Sequence, residues 1–211
     1  MLEFLKNITI RKNYFLKLWI NKKETYLWKT GWINSYLNKK PVNLEGQAQP
    51  WFSLPANAFI EGRLQKKYRI FEFGAGNSSI YFSDMGHHVW SVEHDTYWYT
   101  IMRDKQLKNH IIKHASLGTE YTQAPLQYTE TFDIVVIDGR KRLLCLDAAI
   151  KKVSANGIII FDDIDRKKYQ PAYALLQSHG FRHIDFWGMA LGSFRTKCTA
   201  IFYRKDNVFA I

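Results

Sequence analysis

The segment Glu72-Phe73-Gly74-Ala75-Gly76-Asn77-Ser78-Ser79 joins an apolar run to two closely spaced glycines and several small polar residues. Gly74 permits a sharp turn, and Gly76 lets backbone approach a ligand closely. A helix starting behind the turn offers free N–H groups to an anion or carboxylate. Seventeen positions after Gly76, the run Val89-Trp90-Ser91-Val92 ends in Glu93. An acid there is placed to accept hydrogen bonds from both hydroxyls of a ribose. Its structural alternative is a cap for a helix starting near Asp95. Three more acids, Asp138, Asp162 and Asp163, end later apolar runs. In a parallel sheet such strand ends are where ligands bind.

The elements that must position these residues follow a regular rhythm from residue 68. Apolar runs at Tyr68–Phe73, His88–Glu93, His110–His114, Phe132–Asp138, Gly157–Asp162 and Phe181–Phe186 alternate with amphipathic stretches. The continuous apolar runs "IVVI" and "IIIF" suit strands buried on both faces. Leu143, Leu144, Leu146, Ala149, Ile150 and Val153 recur at helical spacing, with Asn156-Gly157 as the stop. Pro171 opens another helix that Gly180 ends. The run Cys198–Tyr203 follows strand six too closely for a helical crossover, which predicts an antiparallel last strand. Upstream, Ser53 caps a helix with Pro55 in its first turn and Ala56–Gln65 as its body. The expected fold is a Rossmann-like, doubly wound α/β domain over residues 51–211, with a mostly parallel seven-stranded sheet. Residues 1–50 form a basic, aromatic, largely helical extension.

Composition bounds the function. The 211 residues are 46% hydrophobic and 16% aromatic, which excludes a disordered chain. The net charge is +11, and residues 1–50 carry nine Lys/Arg against three Asp/Glu. The remainder is only mildly basic, which suits an enzyme better than a nucleic-acid-coating protein. Lysines interrupt the N-terminal aromatic residues, so neither a signal sequence nor a spanning helix is expected. Cys145 and Cys198 lack metal-ligand spacing and read as buried thiols of a cytoplasmic protein.

With these pieces assembled, "FEFGAGNSS", "VWSVEHD", "FDIVVIDGRKR" and "GIIIFDDIDR" resemble the class I S-adenosylmethionine-dependent methyltransferases, in a bacterial branch. The likeness spans about residues 51–204, with four motifs in order. It implies S-adenosylmethionine as cofactor, bound by Glu72, Gly74, Ala75, Gly76, Asn77, Ser78 and Glu93, with His94 beside the adenine. Asp138 is expected in catalysis, at the cofactor's amino group or as a cap for the following helix, and Asp163 in catalysis. The metal-dependent O-methyltransferases in the family hold magnesium with acids at these strand ends, so Asp138, Asp162 and Asp163 are the candidate metal ligands. Two departures stand out. Ser79 replaces the third glycine, which predicts a wider helix–strand approach. No acid follows strand three, leaving Ser116 or backbone for the adenine edge.

The expected reaction is in-line methyl transfer, by alignment and with a base or metal for a hydroxyl acceptor. The acceptor class is a small molecule or glycan-type hydroxyl. Nucleic acid is not expected, since no Asn/Asp-Pro-Pro-Tyr motif for a flipped base is present. Arg140, Lys141 and Arg142 either receive an acidic or phosphorylated substrate or form a solvated helical turn. Arg166, Tyr169 and Trp51 are candidates for the pocket wall. His87 and His88 read as surface or turn residues, and Trp98 and Tyr99 as core. Residues 1–40 form either a lid or a patch for RNA or an anionic membrane surface. A homo-oligomer is compatible with the sequence. The competing whole-protein readings are an RNA- or membrane-surface-binding module, a nicotinamide-dependent oxidoreductase, and an inactive methyltransferase fold.

Overall fold

The computed structural model describes residues 24–64 and 67–211. Most of the lysine-rich stretch assigned to the N-terminal arm, residues 1–23, lies outside them. The arm's described part forms α1 (Tyr26–Lys29) and α2 (Trp32–Asn38). Trp28, Trp32 and Ile33 there pack with Leu54 and Leu191 in a small satellite core. Next comes α3 (Leu54–Glu61), with Ser53 Oγ accepting from the Ala56 N–H as the cap and a proline in the first turn, as expected.

Five strands alternate with helices: β1 (Arg69–Phe73), α4 (Asn77–Asp84), β2 (His88–Glu93), α5 (Thr96–Asp104), β3 (His110–His114), α6 (Thr119–Thr122), β4 (Phe132–Ile137), α7 (Arg142–Lys152) and β5 (Val153–Asp162). Then follow α8 (Pro171–Ser178), β6 (Arg182–Met189) and β7 (Thr196–Tyr203). The seven-stranded sheet has the order β3-β2-β1-β4-β5-β7-β6. β7 runs antiparallel to both its neighbours, and every other pairing is parallel. The doubly wound fold and the antiparallel last strand are as the sequence predicts.

The central strands are covered on both faces, which is why they read as unbroken apolar runs. Phe71, Phe73, Val135, Ile137, Ile159 and Phe161 face Cys145, Leu146 and Ala149 of α7 and Leu176 of α8. Ile70, Ile134, Val136, Ile158 and Ile160 face Ile60 of α3 and Phe82 of α4. Each large side chain so buried contributes about 1.5–3 kcal/mol. Cys145 and Cys198 are free, buried thiols.

Two local expectations change. The helix after β4 stops at Lys152, and the chain passes straight into β5 at Val153, four residues before Gly157. Gly157 serves close packing instead, since a Cβ there would lie 2.6 Å from Val153 Cγ2. His87 is buried, not exposed. The Tyr68 N–H, at the mouth of β1, needs an acceptor and finds His87 Nδ1 at 3.1 Å. Burial, then the adjacent His88, lowers the His87 pKa accordingly.

Candidate active site

The carboxyl ends of β1, β2, β4 and β5 open onto one cleft of about 620 Å³. Because β7 is antiparallel, its beginning lies at this same edge, as its pairing of Thr199 with Asp162 requires. Residues 74–78, Glu93, His94, Asp138, Asp162 and Asp163 all line the cleft. Of the cofactor and metal candidates, Glu72 and Ser116 do not.

At one end is the glycine turn. Gly74 has φ +98°, a left-handed conformation suited to glycine, and a Cβ there would meet Gly139 Cα at 3.0 Å. The turns after β1 and β4 are therefore packed backbone to backbone. Gly76 differs. Its φ of 177° is ordinary extended backbone, and among the described residues nothing lies within 4 Å of where its Cβ would be. That face of the turn is open to the cleft, as a cradle for a ligand must be.

Glu93 ties the turn to β2. Its Oε2 accepts the Ala75 N–H at 3.0 Å, while Oε1 accepts the His94 and Asp95 N–H groups at 2.7 and 2.8 Å. Oε1 also lies 2.8 Å from His94 Nδ1, so the lone pair left for a ligand hydroxyl is on Oε2, which among the described residues accepts only the Ala75 N–H. The helix cap is a different residue, Asp95, whose Oδ1 accepts the Trp98 N–H at 2.9 Å. Trp98, expected in the core, is 48% exposed and lines the cleft beside His94. Ser116 is exposed and away from the cleft wall.

Glu72 lies behind the turn, fully buried. Ser79 Oγ donates to its Oε2 at 2.5 Å and accepts the Gly76 N–H at 3.2 Å; Ser91 Oγ also donates to Oε2, at 3.1 Å. Ser79 thus uses the third-glycine position to bridge the turn to the buried acid. Glu72 Oε1 has no hydrogen-bond partner among the described residues. Burial pushes this carboxyl up to about 7, against the hydrogen bonds from Ser79, Ser78 and Ser91.

At the other end, Asp138, Asp162 and Asp163 converge, but around the protein's own cations. Lys197 Nζ sits 2.5 Å from Asp162 Oδ2 and 2.9 Å from Asp163 Oδ1. Arg142 Nη2 lies 2.9 Å from Asp138 Oδ1 and 3.4 Å from Asp163 Oδ2. Its guanidinium also donates to the carbonyls of Gly139, Asp138 and Asp162. Arg166 pairs with Asp163 as well. Thr199 Oγ1 donates to Asp162 Oδ1 at 2.7 Å.

These contacts set the ionisation of the cluster. Burial pushes Asp163 up, but Lys197, Arg142 and Arg166 outweigh it and hold the carboxyl below its ordinary value. Asp162 is the acid that keeps a proton more readily, being raised by burial and then by Asp138 against the pull of Lys197.

The magnesium site expected at Asp138, Asp162 and Asp163 does not fit this arrangement. An ammonium and a guanidinium already occupy the space between the carboxylates, and a divalent cation would have to displace a buried, doubly paired Lys197. Among the described residues no cluster of three His, Cys, Asp or Glu side chains is arranged to hold a metal.

Arg142 is therefore neither a solvated helical turn nor free to receive substrate; of the Arg140–Arg142 run only Arg140 is left for that. Arg166, Tyr169 and Trp51 line the cleft, as the sequence reading anticipated. Lys197 was missed. The signal was available, since an antiparallel last strand must begin at the ligand-binding edge, and a lysine stands at that beginning. The described part of the arm also reaches the cleft. Lys39, Lys40 and Pro41 line it, and Asn77 Nδ2 donates to Pro41 O at 2.7 Å.

No family model matches the chain, and no curated protein matches it. Solved structures do. A protein from Klebsiella pneumoniae with a provisional O-methyltransferase assignment is 14% identical, with a TM-score of 0.60 over 91% of this chain and 94% of that one. The precorrin-6y C5,15-methyltransferase of Geobacter metallireducens is 19% identical, with a TM-score of 0.59 over 79% and 91%. A protein from Staphylococcus aureus provisionally assigned as a caffeoyl-CoA O-methyltransferase is 12% identical, with a TM-score of 0.57 over 92% and 99%. The chain therefore has the class I methyltransferase fold.

Proposed function

We propose that this protein is an S-adenosylmethionine-dependent methyltransferase that modifies a hydroxyl of a small-molecule or glycan-type acceptor without a metal ion. The observation that carries the reading is the pairing of an open glycine face at Gly76 with Glu93 on one cleft, joined through the Ala75 N–H. The backbone of Gly74–Ser78 is suited to the amino-acid end of the cofactor. Glu93 offers its free lone pair to the ribose, and His94 and Trp98 flank the adenine. The cofactor, when bound, supplies an electrophilic methyl group.

What the chain adds is alignment and proton management. Asp138 lines the cleft, is partly exposed and among the described residues pairs with one cation, Arg142. It is the carboxylate best placed to take the proton of the acceptor hydroxyl as the new C–O bond forms. Asp163, expected in catalysis, is committed to three cations and is better suited to holding Lys197 and Arg166 in position.

Titration calorimetry with S-adenosylhomocysteine and, separately, with NADH tests the cofactor. Saturable 1:1 binding of the former is expected. Binding of NADH alone would overturn the reading in favour of hydride chemistry. Asp138→Asn should lower turnover at least a hundredfold with cofactor affinity within about threefold of wild type. Full activity in that variant removes Asp138 from the proton path.

A further inference from the structure

The cations of the cleft fall into two groups. Arg142, Arg166 and Lys197 are neutralised by the three acids at the strand ends. Lys39, Lys40, Arg140 and Arg195 also line the cleft, yet none has a carboxylate partner among the described residues. They arrive from three separate places: the end of α2, the turn after β4 and the turn between β6 and β7. Seven lysines and arginines line the cleft against five acids, and among the described residues none of those acids pairs with any of these four. Asp138, Asp162 and Asp163 are committed as described, and Asp165 Oδ1 accepts the Cys198 N–H at 3.0 Å. Trp51 lines the same cleft, held by its Nε1–H donating to Leu191 O at 2.8 Å.

Like charges gathered on one concave wall repel one another and raise the local concentration of anions. Two of the four are arginines, whose planar forks match phosphoryl and carboxyl oxygens. The placement costs backbone freedom too. Lys39 holds a left-handed φ of 52° at the end of α2, a position that favours glycine.

We infer that the methyl acceptor is an anionic small molecule, carrying phosphoryl, sulfuryl or carboxyl charge close to its methylated hydroxyl. Lys39, Lys40, Arg140 and Arg195 receive that charge, while the apolar face of Trp51 bounds the rest of the molecule. This rests on the methyl-transfer reading, but its test is independent of turnover.

The probes are inorganic pyrophosphate and malonate, titrated calorimetrically into the full chain saturated with S-adenosylhomocysteine. At least one should bind 1:1, and more weakly as salt is raised. Preference between them distinguishes phosphoryl from carboxyl chemistry. Arg140→Gln/Arg195→Gln should weaken that binding tenfold or more and leave S-adenosylhomocysteine affinity within about twofold. Lys105→Gln/Lys108→Gln, which removes the same charge at the opposite edge of the sheet, should change neither. Absence of binding by both probes, or equal losses in the two double variants, overturns the inference. If S-adenosylhomocysteine itself fails to bind, the methyl-transfer reading falls instead, and the same anion titration on the unliganded chain judges the anion site alone.

Discussion

The Glu93 carboxylate accepts the Ala75 N–H at 3.0 Å, tying the tip of β2 to the turn that follows β1. One side chain thus shapes the glycine turn and itself lines the cleft. Glu93→Ala removes both contributions. S-Adenosylhomocysteine affinity should fall at least tenfold, about 1.4 kcal/mol or more. Calorimetry reads this directly, and unchanged affinity would remove Glu93 from the ribose site.

Gly76 and Gly139 separate ligand space from packing space. Gly76→Val meets open cleft and an ordinary extended φ, so stability should stay within about 1 kcal/mol while cofactor binding is lost. Gly139→Ala brings a Cβ to 2.0 Å from Tyr121 Oη and 2.8 Å from Phe73 O, so it should destabilise by several kcal/mol. Urea titration beside calorimetry checks the contrast. Equal losses of stability in both variants would contradict the open cradle.

Lys197→Met leaves two buried acids without their ammonium and should cost on the order of 3–5 kcal/mol. Lys197→Arg should recover part of this. Chelation with EDTA should leave turnover of the wild-type protein unchanged, because Lys197 and Arg142 supply the positive charge at the strand ends. Activity abolished by EDTA and restored by magnesium would overturn that assignment.

Glu72 makes stability depend on pH. Its carboxyl is raised from 4.5 to about 7 in the folded protein, so the native state binds the proton more tightly than the unfolded chain. The benefit is present at low pH and is lost as pH rises through about 7. Glu72→Gln removes that loss. It should be close to wild type at pH 4.5 and more stable by roughly 2–3 kcal/mol at pH 8, by urea unfolding at each pH. An equal difference at both values would mean that Glu72 is not the titrating group.

Much of this was legible because strand ends are fixed by local pattern. Gly74, Gly76, Glu93, Asp138 and Asp162 each sit at the end of an apolar run, and a parallel sheet brings such ends together. What escaped depends on partners distant in sequence. The Arg142 and Lys197 pairs with Asp162 span 20 and 35 residues, so the spacing that suggested a metal site could not reveal that side chains already fill it. His87 was misplaced because its burial answers a backbone donor, Tyr68, that lies 19 residues away in sequence. Trp98 was misplaced because apolar character cannot distinguish a core face from a cleft wall.

The direction of β7 has a consequence for how the protein is made. A growing chain completes Asp138, Asp162 and Asp163 well before the residue that balances two of them emerges. Until the final strand slots between its neighbours, the acids at the sheet's functional edge repel one another with Arg142 and Arg166 as their cationic partners among the described residues. The catalytic edge is therefore completed late, and a product truncated before residue 197 would keep most of its strands yet lack the charge balance on which the site depends.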